Sequence, residues 1–378
     1  MRPVRGAFLV CVLTIWSAAA PAFSQDDAAS QDGLGRLGPF ELKTEFDIDV
    51  AAALGDPQGV RAGPHWDLRL RTEAEAITEA GVRWGLAGAI AARSRDGRRG
   101  LQRRGAVQGG QPGLVTGLGG PGLEPESVAG LTRAEVFLKT TLLEVHAGHG
   151  HTAAQRERLR PTAALRLTGA DGALFDPLGR GIVDTGLSLS APAPHITVRS
   201  RRIVGLAAAL SVTPEGDACG VDRCLAADYG DVDDIVSAAV NFDRRMRGSG
   251  VRWSAAAGVE SGRAVAGPLS VALDDPWLVR LQAARARDGV TVALSAVQLR
   301  DGAPAQDYTA WSGHVAVETG DWLLDAALGR AHSDAAARDG WTAQLGASRF
   351  VGRRGLAGLA LQMQAGDAAL VVETGLRF

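Results

Sequence analysis

Apolar and polar residues alternate with a period of two along most of this chain, and this pattern constrains the fold more than any other feature. The stretch FELKTEFDIDV (40–50) places mostly large apolar residues at even positions and charged residues at odd ones, and WDLRLRTEAEA (66–76) repeats the scheme. Successive side chains of a strand point to opposite faces, whereas a helix would mix the two sets. The sequence therefore predicts strands with one apolar and one polar face.

About sixteen such segments occur, each of roughly 9 to 11 residues, the length that a tilted strand needs to cross the hydrocarbon core of a bilayer. We therefore predict an all-β fold, a transmembrane antiparallel β-barrel formed by residues 25–378. A soluble protein with several packed sheets is the alternative. Tryptophans near the ends of the segments favour the barrel, because the indole ring suits the membrane interface. They are Trp66, Trp277, Trp311, Trp322 and Trp341.

Residues 1–24 have the features of a signal peptide. Arg2 and Arg5 precede the apolar run AFLVCVLTIWSAAA, and small residues follow it up to Ser24. An apolar run of about 14 residues is shorter than the roughly 20 residues of a membrane-spanning helix. We therefore expect cleavage near Ser24 and export of the mature protein from the cytoplasm.

Charge and cysteine content exclude some functions. The formal net charge is −2, with 22% charged residues, whereas a nucleic-acid-binding protein would carry a strong basic excess. Cys219 and Cys224 lie close together among turn residues. In an oxidising compartment this spacing predicts a disulfide that closes a small loop, because a metal site would need further ligands.

Two short stretches suggest chemistry that the rest of the sequence does not support. His146, His149 and His151 lie in EVHAGHGHTAAQ, but the glycines between them do not fix them on one face, so no metal or other cofactor is predicted. Serines stand beside histidines in WSGH and AHSD, yet no GxSxG elbow is present. We therefore predict no catalytic residues and no enzyme.

The whole mature chain resembles Gram-negative outer-membrane porins of the general-diffusion type. The likeness lies in the signal peptide, the alternating strands, the final strand LVVETGLRF, and a local similarity through DTGLSLSAPAPHITVRSRRIVGLAAALSVTPEGDACG. This resemblance implies a homotrimer of water-filled barrels, surrounded by outer-membrane lipid, that passes small hydrophilic solutes and ions by passive diffusion. It also implies that Phe378 is an assembly signal, read by the outer-membrane assembly machinery.

The resemblance further implies that a long loop folds into the lumen as a constriction, and Gly148 to Ala193 is the candidate because it follows the fifth strand. Loop carboxylates opposite wall arginines would set a transverse field that favours small polar solutes. The candidate pore-lining residues are Asp171, Asp176 and Asp184 in the loop and Arg69, Arg71, Arg83, Arg199 and Arg201 on the wall. A substrate-specific channel, or a structural or adhesive barrel, is the alternative function.

Overall fold

The computed structural model describes most of the chain after residue 35. The described residues are 36–37, 40–54, 64–94, 127–172, 174–175, 177–178, 182–216, 230–267, 273–303, 307–333, 339–352 and 354–378. The predicted signal peptide 1–24 lies outside these residues, as do Asp176, Cys219 and Cys224, so the predictions made for them remain predictions.

Almost all regular structure in the described residues is β-strand. The strands are β1 Arg36–Leu37, β2 Phe40–Leu54, β3 His65–Ile77, β4 Arg83–Ser94, β5 Ser127–Lys139, β6 Leu143–Gly150, β7 Ala193–Ser200, β8 Leu206–Glu215, β9 Gly230–Arg245, β10 Arg252–Ala266, β11 Trp277–Arg287, β12 Val290–Arg300, β13 Tyr308–Thr319, β14 Trp322–Ser333, β15 Gly340–Val351, β16 Gly355–Gln364 and β17 Asp367–Arg377. A single turn of helix, α1 (Ala153–Arg156), follows β6. No helix in the described ranges is long and apolar enough to cross a bilayer.

The strands form one closed antiparallel sheet, as the sequence predicted. From β2 to β17 each strand pairs with the next one along the chain, and β17 returns to pair with β2. The pairing of β9 with β10 is part of the same ring, so β2 to β17 are a barrel of sixteen strands. The two residues of β1 pair with the start of β2.

The two faces of the sheet differ in the way that the alternation predicts. Large aliphatic side chains are exposed on one face; Leu281, for example, is 58% exposed and Leu294 is 60% exposed. Their chain neighbours on the other face are polar and buried, such as Arg280 and Gln282 beside Leu281. The sheet thus has an apolar outer face and a polar inner face, which is the reverse of a soluble protein.

Connections are short at one end of the barrel and mostly long at the other. The short ones, at what we call the short-turn end, are residues 78–82, 140–142, 201–205, 246–251, 288–289, 320–321 and 352–354. The connection between β6 and β7, residues 151–192, belongs to the opposite end and carries α1. This 151–192 segment lies within the loop that was predicted to form the constriction.

Candidate functional site

The 151–192 segment begins with α1, which is attached to three neighbouring strands. Thr152 caps the helix by accepting a hydrogen bond from the Gln155 amide at 3.4 Å, and its hydroxyl donates to Glu260 on β10. The next two amides, which a helix leaves without internal partners, donate to serine hydroxyls. Ala153 N reaches Ser211 on β8 at 2.8 Å, and Ala154 N reaches Ser237 on β9 at 2.9 Å.

After α1, the segment crosses to the strands where the ring closes. The Arg166 and Leu167 amides both donate to the Glu373 carboxylate on β17, at 2.6 and 3.0 Å. The Arg166 guanidinium also donates to Asp49 on β2, at 3.1 Å. One short stretch of the segment therefore connects the first and last strands of the barrel.

The segment then returns along the polar face towards β10. Gln362 on β16 and Thr342 on β15 donate to backbone carbonyls of the segment, at Gly169 and Ala170 respectively. Glu260 receives the returning chain through the Leu189 amide at 2.7 Å and the Ser188 hydroxyl. Glu260 thus binds the 151–192 segment near both its beginning and its end, and it is fully buried.

Apolar packing accompanies these polar contacts. Four side chains of the segment pack with inward residues of β9 to β14 in one cluster: Ile182, Val183, Leu187 and Leu189 with Val232, Ile235, Leu278, Val297, Leu299, Tyr308, Ala310 and Ala331. A second cluster joins Leu167 and Phe175 to Ala51 and Val371. Because each buried aliphatic side chain contributes roughly 1.5 to 3 kcal/mol, these clusters hold the segment against the strands.

Glycines allow the closest approaches between the segment and the strands. A Cβ added at Gly258 on β10 would lie 2.8 Å from the Cβ of Ala154. A Cβ added at Gly358 on β16 would lie 2.7 Å from Cδ2 of Leu165. Larger residues at these positions would therefore displace the segment.

Two of the predicted loop carboxylates are hydrogen-bonded within the segment and to β13. Asp171 accepts hydrogen bonds from the Thr185 amide at 2.6 Å and from the Ser312 hydroxyl at 2.5 Å. Burial, followed by the nearby charge of Asp184, raises the pKa of Asp171 above its ordinary value of 3.8. Asp184 accepts from the Gly186 amide at 2.8 Å, and its own amide donates to Tyr308.

The predicted wall arginines fall into two groups. Arg69 and Arg71 lie next to each other on the polar face of β3, where Arg69 pairs with Asp67 at 2.6 Å and Arg71 with Asp47 at 3.0 Å. Their side chains remain 26% and 39% exposed. Arg83 is the first residue of β4, at the short-turn end, and pairs with Glu75.

The other two arginines lie at or beyond the end of β7. Arg199 donates to Glu157 in the 151–192 segment, with Nε at 2.6 Å from Oε1, so here a segment carboxylate does meet a wall arginine. Arg201 follows the strand, and its amide donates to the Leu142 carbonyl of the neighbouring turn. The structure therefore separates Arg83 and Arg201 from Arg69 and Arg71 along the barrel.

The sequence reasoning missed the most highly connected carboxylate of the site, Glu135 on β5. Arg133 and Arg156 both lie 2.8 Å from it, and His146 and His195 are each 3.3 Å away. Arg156 belongs to α1, so Glu135 attaches the segment to β5, whereas Glu260 attaches it to β10. The described residues contain no group of three or more His, Cys, Asp or Glu side chains arranged to hold a metal ion.

Glu135, Glu260 and Glu373 share a signal that was visible in the sequence. Each stands in the interior of an alternating segment at a polar-face position, and each is at most 4% exposed. A buried carboxylate needs several donors, because desolvation of a charge is costly without them. Mid-strand acids at polar-face positions were therefore candidates for buried contacts, but their positions in the sequence do not indicate that the partners lie in the 151–192 segment.

A closed antiparallel ring of sixteen strands, with an apolar outer face and a polar inner face, defines a transmembrane β-barrel. A family model described as Gram-negative porin matches residues 119–369, and the chain belongs to this family. It is accordingly a protein of the bacterial outer membrane. No curated protein sequence matches the chain.

Solved structures of the same fold are distant in sequence. An anion-selective porin from Comamonas acidovorans matches with a TM-score of 0.55 and 14% identity, over 89% of this chain and 99% of that one. OprB of Pseudomonas putida matches with a TM-score of 0.57 and 11% identity, over 90% and 94%. A mutant of the Rh. blastica porin matches with a TM-score of 0.50 and 14% identity, over 90% and 100%. At these identities the likeness concerns the fold alone.

Proposed function

We propose that the protein is a water-filled channel for the passive diffusion of small hydrophilic solutes and ions, and that the 151–192 segment folds into its lumen and narrows it. The observation that carries this proposal is the attachment of one segment to polar-face carboxylates on β10, β17 and β5. In the ring, β10 and β17 are seven strands apart and thus nearly opposite each other. A single segment reaches both only by crossing the space that the strands enclose.

The partial exposure of Arg69 and Arg71 supports the wall around β3 as the open side of this passage. We propose that these two arginines line the narrow part, with Asp47, Asp67 and Glu45 beside them. Opposite charges facing a confined aqueous passage orient water and favour polar solutes over apolar ones. Arginine suits this role because it stays charged at every relevant pH.

The test is the electrical conductance of the purified protein in a planar bilayer. Stable current steps are expected for the wild type, and the double variant Arg69→Gln/Arg71→Gln should shift the reversal potential in a salt gradient towards cation preference. Arg287→Gln, a change on the outer face at the end of β11, is the matched control and should leave the reversal potential unchanged.

Each outcome has a defined meaning. Absence of current steps in the refolded wild type would overturn the channel itself and favour a structural or adhesive barrel. Current steps with an unshifted reversal potential in the double variant would overturn only the role given to Arg69 and Arg71. Liposome swelling with sugars of similar size would show a substrate-specific channel if one sugar passed much faster than the others.

We also propose that the mature protein, residues 25–378, assembles as a homotrimer with the help of the outer-membrane assembly machinery, for which Phe378 is the recognised residue. Support comes from the family, whose members share this barrel, and from the tight pairing of Phe378 with β2. Mass measurement of the protein extracted from membranes tests the cleavage after residue 24 and the trimer. A mass of a single intact chain that includes residues 1–24 would contradict both of these claims.

A further inference from the structure

A row of three side chains crosses β9, β10 and β11 on the outer face at the short-turn end. Arg244 is paired in register with Trp253, and Trp253 is paired in register with Arg285. All three side chains are exposed, Trp253 to 44%. The guanidinium carbon of Arg285 lies 5.7 Å from the centre of the Trp253 ring, so the cation is held over the aromatic face.

This row lies next to the apolar band of the outer wall. The same face of these strands carries three large aliphatic side chains, each 44% to 58% exposed: Val240 on β9, Val259 on β10 and Leu281 on β11. Charged residues follow towards the turns, including Arg287 and Asp288. The row therefore occupies the level at which lipid headgroups meet the hydrocarbon layer, where tryptophan is favoured.

Other arginines of the outer wall that cover a tryptophan have a carboxylate partner. Arg330 lies 5.4 Å from the Trp341 ring and pairs with Asp339 at 2.5 Å. Arg349 lies 5.9 Å from the Trp322 ring, with Asp321 at 3.7 Å. These cations are therefore already compensated by the protein itself.

Arg244 and Arg285 differ from them, since within the described part of the chain neither forms an ion pair with a carboxylate. The nearest acid in sequence, Asp243, is turned to the polar face and is bound by Arg252 through contacts of 2.7 and 2.5 Å. Two cations without a carboxylate partner, beside an exposed apolar surface, are suited to bind an anion that is itself attached to an apolar group. A phospholipid with a negatively charged headgroup has this chemistry.

The spacing also suits a single phosphate. Adjacent strands lie about 4.8 Å apart, so the backbones of Arg244 and Arg285 are separated by about 10 Å. Two arginine side chains extend over this distance and can converge from both sides on one phosphate, which guanidinium groups bind in bidentate fashion. The Trp253 indole between them supplies an N–H donor and a surface for the acyl chains.

We propose that Arg244, Trp253 and Arg285 form a binding site for the phosphate of an anionic phospholipid on the outer wall of the barrel. The site is independent of channel activity, because none of the three side chains faces the lumen. It ties one lipid to β9, β10 and β11, next to the turn that joins β9 to β10.

The experiment compares lipid retention by the intact, folded protein in detergent. Native mass spectrometry counts the phosphatidylglycerol and phosphatidylcholine molecules that remain bound during a titration with each lipid. The wild type should prefer phosphatidylglycerol. Arg244→Gln and Arg285→Gln should each lower its affinity about fivefold, and the double variant should abolish the preference. Arg330→Gln, which removes an arginine already paired with Asp339, is the matched control and should behave as the wild type.

The outcomes separate the site from less specific explanations. Equal retention of the two lipids by the wild type, or an unchanged preference in the double variant, would overturn the proposal. An equal loss in Arg330→Gln would also overturn it, because the effect would then be one of overall charge. Displacement of phosphatidylglycerol by millimolar inorganic phosphate would show a phosphate site without a lipid requirement, which contradicts the part given to the apolar surroundings. Heat-modifiable migration on a gel confirms that each variant is folded, and the single variants decide the matter if the double variant is not.

Discussion

Phe46 on β2 and Phe378 exchange two backbone hydrogen bonds, from Phe46 N to Phe378 O at 3.0 Å and from Phe378 N to Phe46 O at 2.8 Å. The centres of their rings are 6.3 Å apart, and the guanidinium of Arg354 lies 5.8 Å from the Phe378 ring. The pairing that closes the ring therefore continues through Phe378, and its side chain covers the junction on the outer face.

We predict that Phe378→Ala weakens this closure. Loss of an aromatic side chain that is half exposed removes about 1 kcal/mol of apolar contact, and deletion of the residue removes both backbone hydrogen bonds as well. The urea midpoint of the folded, heat-modifiable band should fall, and fall further for the deletion. Phe378→Tyr, which keeps the ring, is the control. Equal urea midpoints for the wild type, Phe378→Ala, the deletion and Phe378→Tyr would contradict this prediction.

Glu260→Gln should loosen both ends of the 151–192 segment together. The carboxylate accepts hydrogen bonds from Thr152, Ser188 and the Leu189 amide, and hydrogen bonds to a charged acceptor contribute about 1.5 to 3 kcal/mol each. In the bilayer assay we expect noisier current with larger excursions. Glu318→Gln, an exposed change at the short-turn end, is the control and should give the wild-type trace. Identical traces for Glu260→Gln and the wild type would contradict the attachment.

Gly258→Val should displace α1 without disturbing the strand pairing. The added carbon would meet the Cβ of Ala154 at 2.8 Å. Such overpacking lowers the free energy of unfolding by about 1 to 3 kcal/mol. Single-channel conductance should therefore change. Gly313→Val on the outer face of β13 is the matched control, because a Cβ there would have its nearest neighbour, Cδ2 of Leu294, at 3.4 Å. A larger effect on conductance from Gly313→Val than from Gly258→Val would count against the prediction.

Asp171 should make the stability of the segment depend on pH. Burial raises the pKa of this carboxyl, so the folded protein binds a proton that the unfolded chain would release above its ordinary pKa of 3.8. The contribution is therefore present at acid pH and is lost as the pH rises from about 3.8 through the raised pKa. Asp171→Asn should flatten the dependence of the urea midpoint on pH above about pH 4. If the urea midpoint changed equally with pH in the variant and the wild type, the pH dependence would have to come from other groups.

The strands were predictable because their signal is local. The alternation in β10 separates Trp253 from Glu260 with no knowledge of any other strand, and the structure has Trp253 on the outer face and Glu260 buried on the inner face. Strand ends were less predictable. For β9 the alternation is clear only over 235–242, yet the strand runs over Gly230–Arg245, because pairing with β10 continues where the side chains become charged.

The contacts of the 151–192 segment were not predictable in the same way. Thr152 and Glu260 are separated by 108 positions, and Arg166 and Glu373 by 207, so no periodicity within the segment indicates these pairs. A pore-lining role was predicted for Asp171 and Asp184 because of their charge, whereas their observed contacts are hydrogen bonds that shape the segment. The roles of Asp171, Asp176, Asp184 and the five wall arginines in the pore remain predictions.

The double contact of Arg166, with Glu373 on β17 through its amide and with Asp49 on β2 through its guanidinium, has a consequence for the order of events during folding. Glu373 on β17 lies beside Asp49 on β2 only after these two strands have paired and the ring has closed. In a barrel that is still open, Arg166 can therefore contact only one of these two partners. The 151–192 segment therefore reaches its final position only when the wall of the barrel is complete.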